Sequence, residues 1–349
     1  RLVCGDVGFG KTEIAMRAAF KAVQQEKQVA VLVPTTILAQ QHFETFCRRF
    51  EDNPFIIEVI SRFRTATEQK KIIKRLQDGK IDVLIGTHRM LSTDVKFKEL
   101  GLLVVDEEQR FGVKHKEKIK HFRASVDVLT LSATPIPRTL HMSLMGIRDL
   151  SLVNTPPADR RAIRTRLLPA NEYIIQEAVS REIRRDGQVF IVHNSIDTIY
   201  EYGRYLDNIL PNVKIVIGHG QMREEKLEKV MLEFINGEFN VLLSTTIIES
   251  GLDITNANTI IINNAHIFGL SQLYQLRGRV GRSNVQAYAY LLYPPDMILS
   301  GIANERLNVL QNLNDLGAGF KVASRDLEIR GAGNLLGSEQ SGQIASVGL

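Results

Sequence analysis

The octet GDVGFGKT, from Gly5 to Thr12, is the stretch that most strongly determines the expected fold. It matches G-x-x-x-x-G-K-[ST], a glycine-rich loop whose backbone N–H groups cradle phosphate oxygens. The residues Leu2–Cys4 before it predict the end of a strand, and the alanine-rich stretch after it predicts a helix. A helix N-terminus favours negative charge, so this position suits a phosphate group. We therefore predict that the loop binds ATP through Gly5, Asp6, Val7, Gly8, Phe9, Gly10, Lys11 and Thr12.

Two acidic residues predict the other half of a nucleotide-hydrolysing site. The apolar run Leu102–Val105 leads directly into Asp106 and Glu107. Ligands of open α/β sheets bind at the carboxyl ends of strands, so we expect Asp106 and the Thr12 hydroxyl to hold Mg²⁺. Glu107 is the predicted general base that orients and deprotonates the attacking water. Lys11 is also a predicted catalytic residue, because its charge reaches the terminal phosphates.

The composition is that of an ordinary globular protein, with 349 residues, 44% hydrophobic and 24% charged. No apolar run approaches the roughly 18 residues that a membrane helix needs, and no signal peptide is recognisable, so we expect no membrane partner. Cys4 and Cys47 form neither a disulfide framework nor a metal-binding spacing, which favours reduced thiols in a cytoplasmic protein. Arg1 already lies in a predicted strand, so we expect a fragment of a longer protein.

The net charge of +5 is unevenly distributed along the chain. Residues 1–152 carry 25 Lys and Arg against 18 Asp and Glu, whereas the remainder carries 19 against 21. A basic first half is compatible with a polyanionic partner, and equally with an ordinary soluble surface.

Short β-branched runs alternate with stretches of helical spacing along most of the chain. The runs are continuously apolar, as expected for parallel strands that are covered on both faces. This alternation occurs twice and predicts an α/β fold of two doubly wound parallel-sheet lobes in tandem. The predicted strands are Val29–Val33, Asp82–Ile85, Leu102–Val105, Val128–Leu131, Val189–Val192, Lys214–Ile217, Val241–Ser244, Thr259–Ile262 and Tyr288–Leu292.

A polar, proline-bearing stretch, Thr155–Arg161, predicts a linker between the two lobes. The first lobe is then residues 1–154 and the second lobe, which has no phosphate loop, is residues 155–298. Residues 299–349 form a third part. It begins with a predicted helix at 300–314 and continues in a glycine-rich tract, which we expect to be ordered because it also contains Leu, Ile and Phe.

A second cluster of charged residues lies in the second lobe, where QLYQLRGRVGR at 272–282 contains three arginines. Arg279 and Arg282 share one helix face if the segment is helical. One interpretation is a solvated surface cluster. The other, which we favour, is a pair of catalytic arginine fingers for the γ-phosphate of the nucleotide held by the first lobe, so that hydrolysis depends on closure.

Taken in order, these motifs resemble those of superfamily 2 helicases and translocases over nearly the whole chain. The resemblance implies two RecA-like lobes, with Ser132 and Thr134 coupling the two functional sites. It also implies that Gln109, Gly251 and Asp253 belong to the nucleotide site and that Gln275 contributes to DNA binding or coupling. A threonine at a strand end is also commonly a helix cap, so the order of the motifs is the specific signal. The residues that the resemblance places on the nucleic-acid backbone are Pro34, Thr35, Thr36, Gly86, Thr87, His88, Thr245 and Thr246.

The tail narrows the resemblance to one type of translocation motif. The segments 315–320, 325–333 and 337–342 are similar to the motif shared by bacterial transcription-repair-coupling factors and RecG fork-remodelling helicases. In that family a helical hairpin and loop transmit the nucleotide state to duplex DNA, and the matching residues here are Arg330 and Gln340. Ala332 resembles the coupling factors, since RecG-like sequences tend to have proline there. Gln109 is a departure, because several relatives have histidine at that position; both side chains form hydrogen bonds.

The resemblance implies a DNA-dependent ATPase: the double-stranded DNA translocase module of a transcription-repair-coupling factor. In the family the whole protein displaces stalled RNA polymerase and promotes nucleotide-excision repair. RNA polymerase and the UvrA repair protein are expected to bind regions outside this chain. The alternative is a RecG-type ATP-dependent helicase that reverses forks. A nucleotide-gated binding module without turnover is a third hypothesis, which Glu107, Arg279 and Arg282 argue against.

Overall fold

The computed structural model forms two compact units, and the main boundary between them falls between Thr155 and Pro156. We call them lobe 1 and lobe 2. The boundary coincides with the predicted linker, while the finer division into 1–154, 155–298 and 299–349 stays a prediction. The structure describes residues 1–122, 126–132, 149–157, 160–246, 254–282, 284–313, 317–319, 321–322 and 325–326, without the side chains of Gln109 and His121.

Lobe 1 is built around a seven-stranded sheet. Its strands are β1 (Leu2–Gly5), β2 (Gln28–Leu32), β3 (Ile57–Ile60), β4 (Val83–Gly86), β5 (Leu100–Asp106), β6 (Asp127–Ser132) and β7 (Leu150–Val153). Its helices include α1 (Lys11–Gln24), α2 (Thr36–Arg49), α3 (Ala66–Gln77) and α4 (Val113–Phe122), with short 3₁₀ turns at His88–Leu91 and Glu108–Arg110. The strand order is β3-β4-β2-β5-β6-β1-β7, and each neighbouring pair is parallel.

The central strands of lobe 1 explain why their sequence is continuously apolar. Successive side chains of a strand point to opposite faces, and here both faces are covered. Val29 and Val31 of β2 enter one buried cluster, which also contains Phe46 of α2. Ala30 and Leu32, the alternate residues, enter a second cluster beneath α3 and α4. Burial on both faces therefore accounts for the absence of a polar alternation.

Lobe 2 is built around a six-stranded sheet. Its strands are β8 (Arg164–Pro169), β9 (Gln188–Val192), β10 (Ile215–Gly218), β11 (Val241–Ser244), β12 (Ala257–Ile262) and β13 (Tyr288–Tyr293). Its helices include α5 (Glu172–Ile183), α6 (Ile196–Ile209), α7 (Glu224–Ile235), α8 (Leu270–Arg277) and α9 (Gly301–Asn312), with a 3₁₀ turn at Ala265–Ile267. The order is β10-β11-β9-β12-β13-β8, and each neighbouring pair is again parallel.

The two sheets repeat one topology. Six strands of lobe 1 follow the order β3-β4-β2-β5-β6-β1, and the strands of lobe 2 follow the same order when counted from β8. The counterpart of the phosphate loop is the connection between β8 and α5, which is only two residues long and ends at Asn171. Asn171 caps α5 by accepting a hydrogen bond from the Tyr173 N–H, 2.8 Å away. At this position in lobe 2, a side-chain cap therefore stands where lobe 1 has the glycine-rich loop.

The predicted α/β fold of two doubly wound parallel-sheet lobes is confirmed, and all of the predicted strands are present with ends shifted by at most two residues. Three strands that the pattern did not predict, β3, β7 and β8, all lie at sheet edges. Edge strands often carry charged residues that discourage pairing with other chains. Glu58 interrupts β3, and Arg164 and Arg166 interrupt β8, so their apolar runs are too short to be recognised.

The tail begins as predicted, with α9 in place of the helix expected at 300–314. Most of the glycine-rich tract, including Arg330 and Gln340, lies outside the described residues. The expectation that this tract is structurally ordered, and that it acts as a translocation motif, therefore stays a prediction.

Within the described part of the chain, no helix is long and apolar enough to cross a bilayer. Cys4 and Cys47 are both free thiols, consistent with the expectation of no disulfide framework.

Candidate nucleotide site and nucleic-acid edge

The phosphate loop connects the carboxyl end of β1 to the first residue of α1. Gly8 and Gly10 both have φ of 78°, in the left-handed region that glycine adopts without steric cost. Gly10 stands at the N-cap position of α1, where no side chain makes a capping hydrogen bond. Backbone N–H groups at a helix start have no partner within the helix, and they suit an anion. The loop thus has the left-handed glycines and the open helix start that a phosphate cradle requires, and phosphate binding by it stays a prediction.

Lys11 lies across this loop. Its ammonium Nζ is 2.6 Å from the carbonyl oxygen of Gly5, to which it donates a hydrogen bond, and the side chain is half-buried. An ammonium group carries three donors, so a lysine at this position can bond a backbone carbonyl and a phosphate oxygen at the same time. Lys11 is therefore placed where a phosphate bound by the loop would meet its charge.

The predicted acidic pair lies at the carboxyl end of β5. Asp106 is the last residue of the strand, and the next residue, Glu107, donates its backbone N–H to the Leu131 carbonyl at 3.1 Å. Glu107 has φ of 52° and a side chain that is only 7% exposed. A left-handed conformation in a non-glycine residue is uncommon and clusters at functional sites. The turn thus holds the predicted general base in a defined and mostly buried position.

His42 contacts Asp106, although the sequence motifs do not point to this histidine. Its Nε2 lies 3.0 Å from Oδ2 of Asp106, and its ring is 5% exposed on α2. A histidine that hydrogen-bonds one oxygen of a carboxylate fixes the orientation of that carboxylate toward a metal ion. The two residues are 64 positions apart, so no local pattern in the sequence indicates the contact.

The phosphate loop and the acidic pair lie on one edge of the sheet, with β6 between β1 and β5. Asp106 pairs with Leu131, and Ser132 pairs with Cys4, so the three strand ends are in register. Neighbouring strands are about 4.8 Å apart, which puts the two parts of the site roughly 10 Å apart, the scale of a polyphosphate chain. Ser132 is 7% exposed, and Thr134 lies outside the described residues.

The oxygen donors at this edge suit Mg²⁺, which binds through a few protein ligands together with substrate phosphates, better than they suit a metal ion that is bound entirely by protein side chains. Among the described residues, no group of three or more His, Cys, Asp or Glu side chains is arranged to hold a metal ion. Mg²⁺ typically binds through one or two carboxylates together with substrate phosphates and water. Asp106 and the hydroxyl of Thr12 are oxygen donors of the required kind.

Further along the edge of lobe 1, several predicted nucleic-acid residues have structural roles. Thr35 is the N-cap of α2, where its hydroxyl accepts from the Leu38 N–H at 3.3 Å, and Thr36 is 4% exposed. Gly86 allows close approach, since a Cβ there would lie 2.6 Å from the Ile60 carbonyl oxygen. Thr87 is 5% exposed, and Pro34 is half-buried, whereas His88 is exposed. Backbone contact to nucleic acid stays a prediction for all of them.

Lobe 2 has a turn of the same backbone geometry as the turn at Asp106 and Glu107 of lobe 1, but with asparagines in place of the two acidic residues. Asn264 has φ of 52° and precedes a 3₁₀ turn, as Glu107 does in lobe 1. Asn263, in the place of Asp106, lies with Nδ2 3.1 Å from Nδ1 of the buried His193. An amide donor there makes Nδ1 an acceptor, so the other ring nitrogen donates to the Thr198 hydroxyl at 2.8 Å. Burial lowers the pKa of His193, which is consistent with a neutral ring in this network.

The three arginines of lobe 2 occupy different environments. Arg277 is buried, and its Nη1 donates to the carbonyl oxygens of Leu310 and Leu313, at 3.1 and 2.8 Å, at the end of α9. Arg277 is therefore a structural cap of that helix, a role that the sequence pattern did not indicate. Arg279 is 3% exposed and Arg282 is half-buried. Their role as arginine fingers stays a prediction.

Of the remaining site residues predicted in lobe 2, some lie within the described part of the chain and some lie outside it. Thr245 follows β11 and is 7% exposed, whereas Thr246 and Gln275 are half-buried. Gly251 and Asp253, predicted at the nucleotide site, lie outside the described residues. The assignment of all five as site residues stays a prediction.

Comparison with known proteins gives two family matches. Residues 1–143 match the DEAD/DEAH box helicase family, and residues 170–284 match the helicase conserved C-terminal domain. The two matches fall on the sheets of lobe 1 and lobe 2 respectively.

Individual relatives are similar over the whole chain. The transcription-repair-coupling factor of Myxococcus xanthus is 60% identical over 348 residues, which cover 100% of this chain and 29% of that protein. The protein of the same description from Haemophilus influenzae is 59% identical, with 100% and 30% covered. The solved structure of RecG bound to a three-way DNA junction has a TM-score of 0.81 and 39% identity, and covers 96% of this chain and 44% of that one. The chain thus spans about 30% of the length of the curated relatives that it matches.

Proposed function

Because the chain belongs to the superfamily 2 helicases and is homologous along its whole length to transcription-repair-coupling factors, we propose that it is the double-stranded DNA translocase module of such a factor. It is an ATP-dependent enzyme of that superfamily, and its helicase domains imply nucleotide binding. The observation that carries the proposal is the shared edge of lobe 1. There the phosphate loop and the pair Asp106 and Glu107 lie two strands apart, in register.

The proposed chemistry assigns one task to each part of that edge. The loop N–H groups and Lys11 hold the phosphates of ATP, and Glu107 orients a water and accepts its proton. When bound by Asp106 and Thr12, Mg²⁺ neutralises charge on the phosphate oxygens. His42 fixes the orientation of the Asp106 carboxylate through their 3.0 Å contact. Arg279 and Arg282 are proposed to stabilise the charge that develops on the transferred phosphoryl group.

Activities of the whole relatives are proposals for a longer protein, since the chain spans about 30% of their length. We propose that such a protein displaces stalled RNA polymerase and promotes nucleotide-excision repair. RNA polymerase and the UvrA protein would then bind outside this chain. A cytoplasmic location is part of the same proposal.

A RecG-type fork-reversing helicase is the second candidate, favoured by the TM-score of 0.81 to the RecG structure. The identity to that structure is 39%, against 60% and 59% to the two coupling factors described above. We therefore place the coupling factor first. A substrate comparison separates the two: a fork-reversing enzyme acts on branched DNA, whereas a translocase displaces a third strand from a linear duplex.

An ATPase assay with and without duplex DNA tests the proposal directly. A DNA-dependent motor shows hydrolysis that duplex DNA stimulates and that Lys11→Ala abolishes. A nucleotide-gated binding module instead binds ATP and duplex without turnover. Binding without turnover would contradict the proposed translocase and support the nucleotide-gated binding module.

Duplex binding is expected to weaken steeply with salt. A protein that tracks the backbone contacts mainly phosphates, and its log affinity falls by about 0.9 per log unit of salt for each phosphate neutralised. The measurement is a titration of labelled duplexes of two unrelated sequences at several salt concentrations. Equal slopes for both sequences support backbone tracking, and a flat salt dependence contradicts it.

We expect Arg330→Ala to retain ATP hydrolysis while translocation collapses. Arg330 lies outside the nucleotide motifs, and the planar fork of donors in arginine suits a bridge between the translocation motif and its surroundings. The measurement is third-strand displacement from a duplex, run beside the ATPase assay. Arg330→Lys is the matched control for charge, since it keeps the charge without the fork. A melting curve separates coupling from unfolding, and normal displacement by a folded Arg330→Ala protein removes the coupling role.

A further inference from the structure

A basic surface of lobe 1 lies beyond the predicted nucleic-acid motifs. It consists of α4 with the adjacent 3₁₀ turn His88–Leu91, and we call it the α4 surface. The helix reads VKHKEKIKHF, with four lysines and one glutamate. The lysines are Lys114, Lys116, Lys118 and Lys120, of which Lys116 is half-buried and the others are exposed. None of the four forms an ion pair with a described residue of the chain.

Two contacts hold α4 beside the turn that carries His88. The rings of His88 and His115 stack with centroids 5.4 Å apart and planes 25° apart. Lys118 Nζ also donates to the Leu91 carbonyl oxygen at 3.1 Å. Burial, with His88 and Lys118 nearby, lowers the pKa of His115, so stacking at neutral pH brings no charged imidazolium pair together. The lysines of α4 are therefore held at a defined place next to His88.

Helix stability does not explain these lysines. The first turn of α4 has no acidic residue, although the positive end of a helix dipole favours carboxylates there. Lys114 and Lys116 instead add positive charge to that end. The packing of α4 comes from other residues, mainly Ile119, which is 1% exposed in the cluster beneath the helix. The charge pattern is better explained by an external polyanion.

We infer that the α4 surface binds the phosphate backbone of duplex DNA, extending outward the contact predicted at His88. Lys114 and Lys118 lie one turn apart, about 6 Å along the helix, while the phosphates of one DNA strand recur about every 3.4 Å along the duplex axis. Two long, flexible side chains at that spacing reach neighbouring phosphates. Lys118 retains donors after its bond to Leu91, since an ammonium group has three. The inference rests on the proposed function, because it requires that lobe 1 binds duplex DNA.

The test compares two double variants of the full chain. Lys114→Gln/Lys118→Gln removes two charges from the α4 surface. Lys70→Gln/Lys74→Gln removes two charges at the same i, i+4 spacing from α3 of the same lobe, where both lysines are exposed. Affinity for a labelled duplex is measured at several salt concentrations, with DNA-free ATPase and a melting curve as folding controls.

We expect the salt slope of Lys114→Gln/Lys118→Gln to decrease by about 0.9 for each lost phosphate contact, so by about 1.8 if both are lost. The α3 control keeps the wild-type slope. Equal losses in both variants would mean that net charge alone acts, and an unchanged α4 variant would mean that the lysines serve another acidic partner; either result overturns the inference. If the wild-type chain itself binds no duplex, the proposed function fails too.

Discussion

Glu107→Gln is expected to lower the rate of ATP hydrolysis by about 10²–10⁴-fold while nucleotide still binds. A positioned general base contributes acceleration of that size, and an amide cannot accept the proton of the attacking water. The substitution is nearly isosteric. It also preserves the backbone hydrogen bond from residue 107 to the Leu131 carbonyl, which is 3.1 Å long. The predicted loss is therefore chemical and not structural.

The measurement combines steady-state ATPase, with and without duplex DNA, and titration with a fluorescent ATP analogue. Glu108→Gln is the matched control, because it removes the same charge one residue further on and should retain most of the rate. Lys11→Ala should differ from both variants by losing nucleotide affinity, since it removes a charge that meets the phosphates. Hydrolysis at the wild-type rate by Glu107→Gln would refute its assignment as the general base.

Arg185→Leu is expected to destabilise lobe 2 by about 3 kcal/mol, the lower end of the range for breaking a buried ion pair. Its partner Glu182 is 0% exposed, and the carboxylate accepts from Nη2 of Arg185 at 2.5 Å and from Nε at 3.1 Å. The Thr259 hydroxyl also donates to that carboxylate. Arg185 is itself half-buried, and removing its guanidinium leaves the buried carboxylate with the neutral Thr259 hydroxyl as its side-chain donor. An uncompensated buried charge of this kind is what makes the loss large.

Chemical denaturation checks this effect, followed by probes in each lobe because two units need not unfold together. Arg184→Leu is the control: Arg184 is the exposed neighbour, and its Nε donates to the Ser180 carbonyl oxygen at 3.2 Å. A shift of the lobe 2 transition in Arg185→Leu but not in Arg184→Leu is the expected result. Similar, small shifts in both variants would show that Glu182 tolerates the loss of its partner.

The sequence predicted the interior strands of both sheets but missed three of the four edge strands, and one physical reason explains most of this difference. A central strand of a parallel sheet is buried on both faces, so β2, β5 and β9 are recognisable as continuous apolar runs. The edge strands β3 and β8 are partly solvated, and Glu58 or Arg164 interrupts their pattern. A strand that is buried on both faces is recognisable by its continuous apolar residues. A strand that is held at a sheet edge mainly by backbone hydrogen bonds need not have such residues.

The phosphate loop and the acidic pair could be predicted because each is a contiguous motif that follows a strand. Parallel strands bring their carboxyl ends to one edge, so strand direction and sheet order together place the two motifs near one another. By contrast, His42 reaches Asp106 across 64 residues of sequence. Similarly, Arg277 resembles Arg279 and Arg282 in the sequence, and only its bonds to the end of α9 identify it as a cap.

Two glutamines show what only the tertiary structure decided. Gln28, at the start of β2, donates to the carbonyl oxygens of Leu76 and Ile81, at 3.0 and 2.8 Å. Gln188, at the start of the corresponding strand β9, donates to those of Phe234 and Phe239, at 2.6 and 2.8 Å. Each amide thus bonds a carbonyl oxygen in the last turn of a distant helix and one in the loop that follows it, and so ties that helix end to the start of a central strand. The sequence by itself determined the class of fold and the phosphate chemistry, because burial and loop geometry restrict residue type locally. The partners of buried polar groups were decided by the tertiary structure, because those partners meet only when the chain has folded.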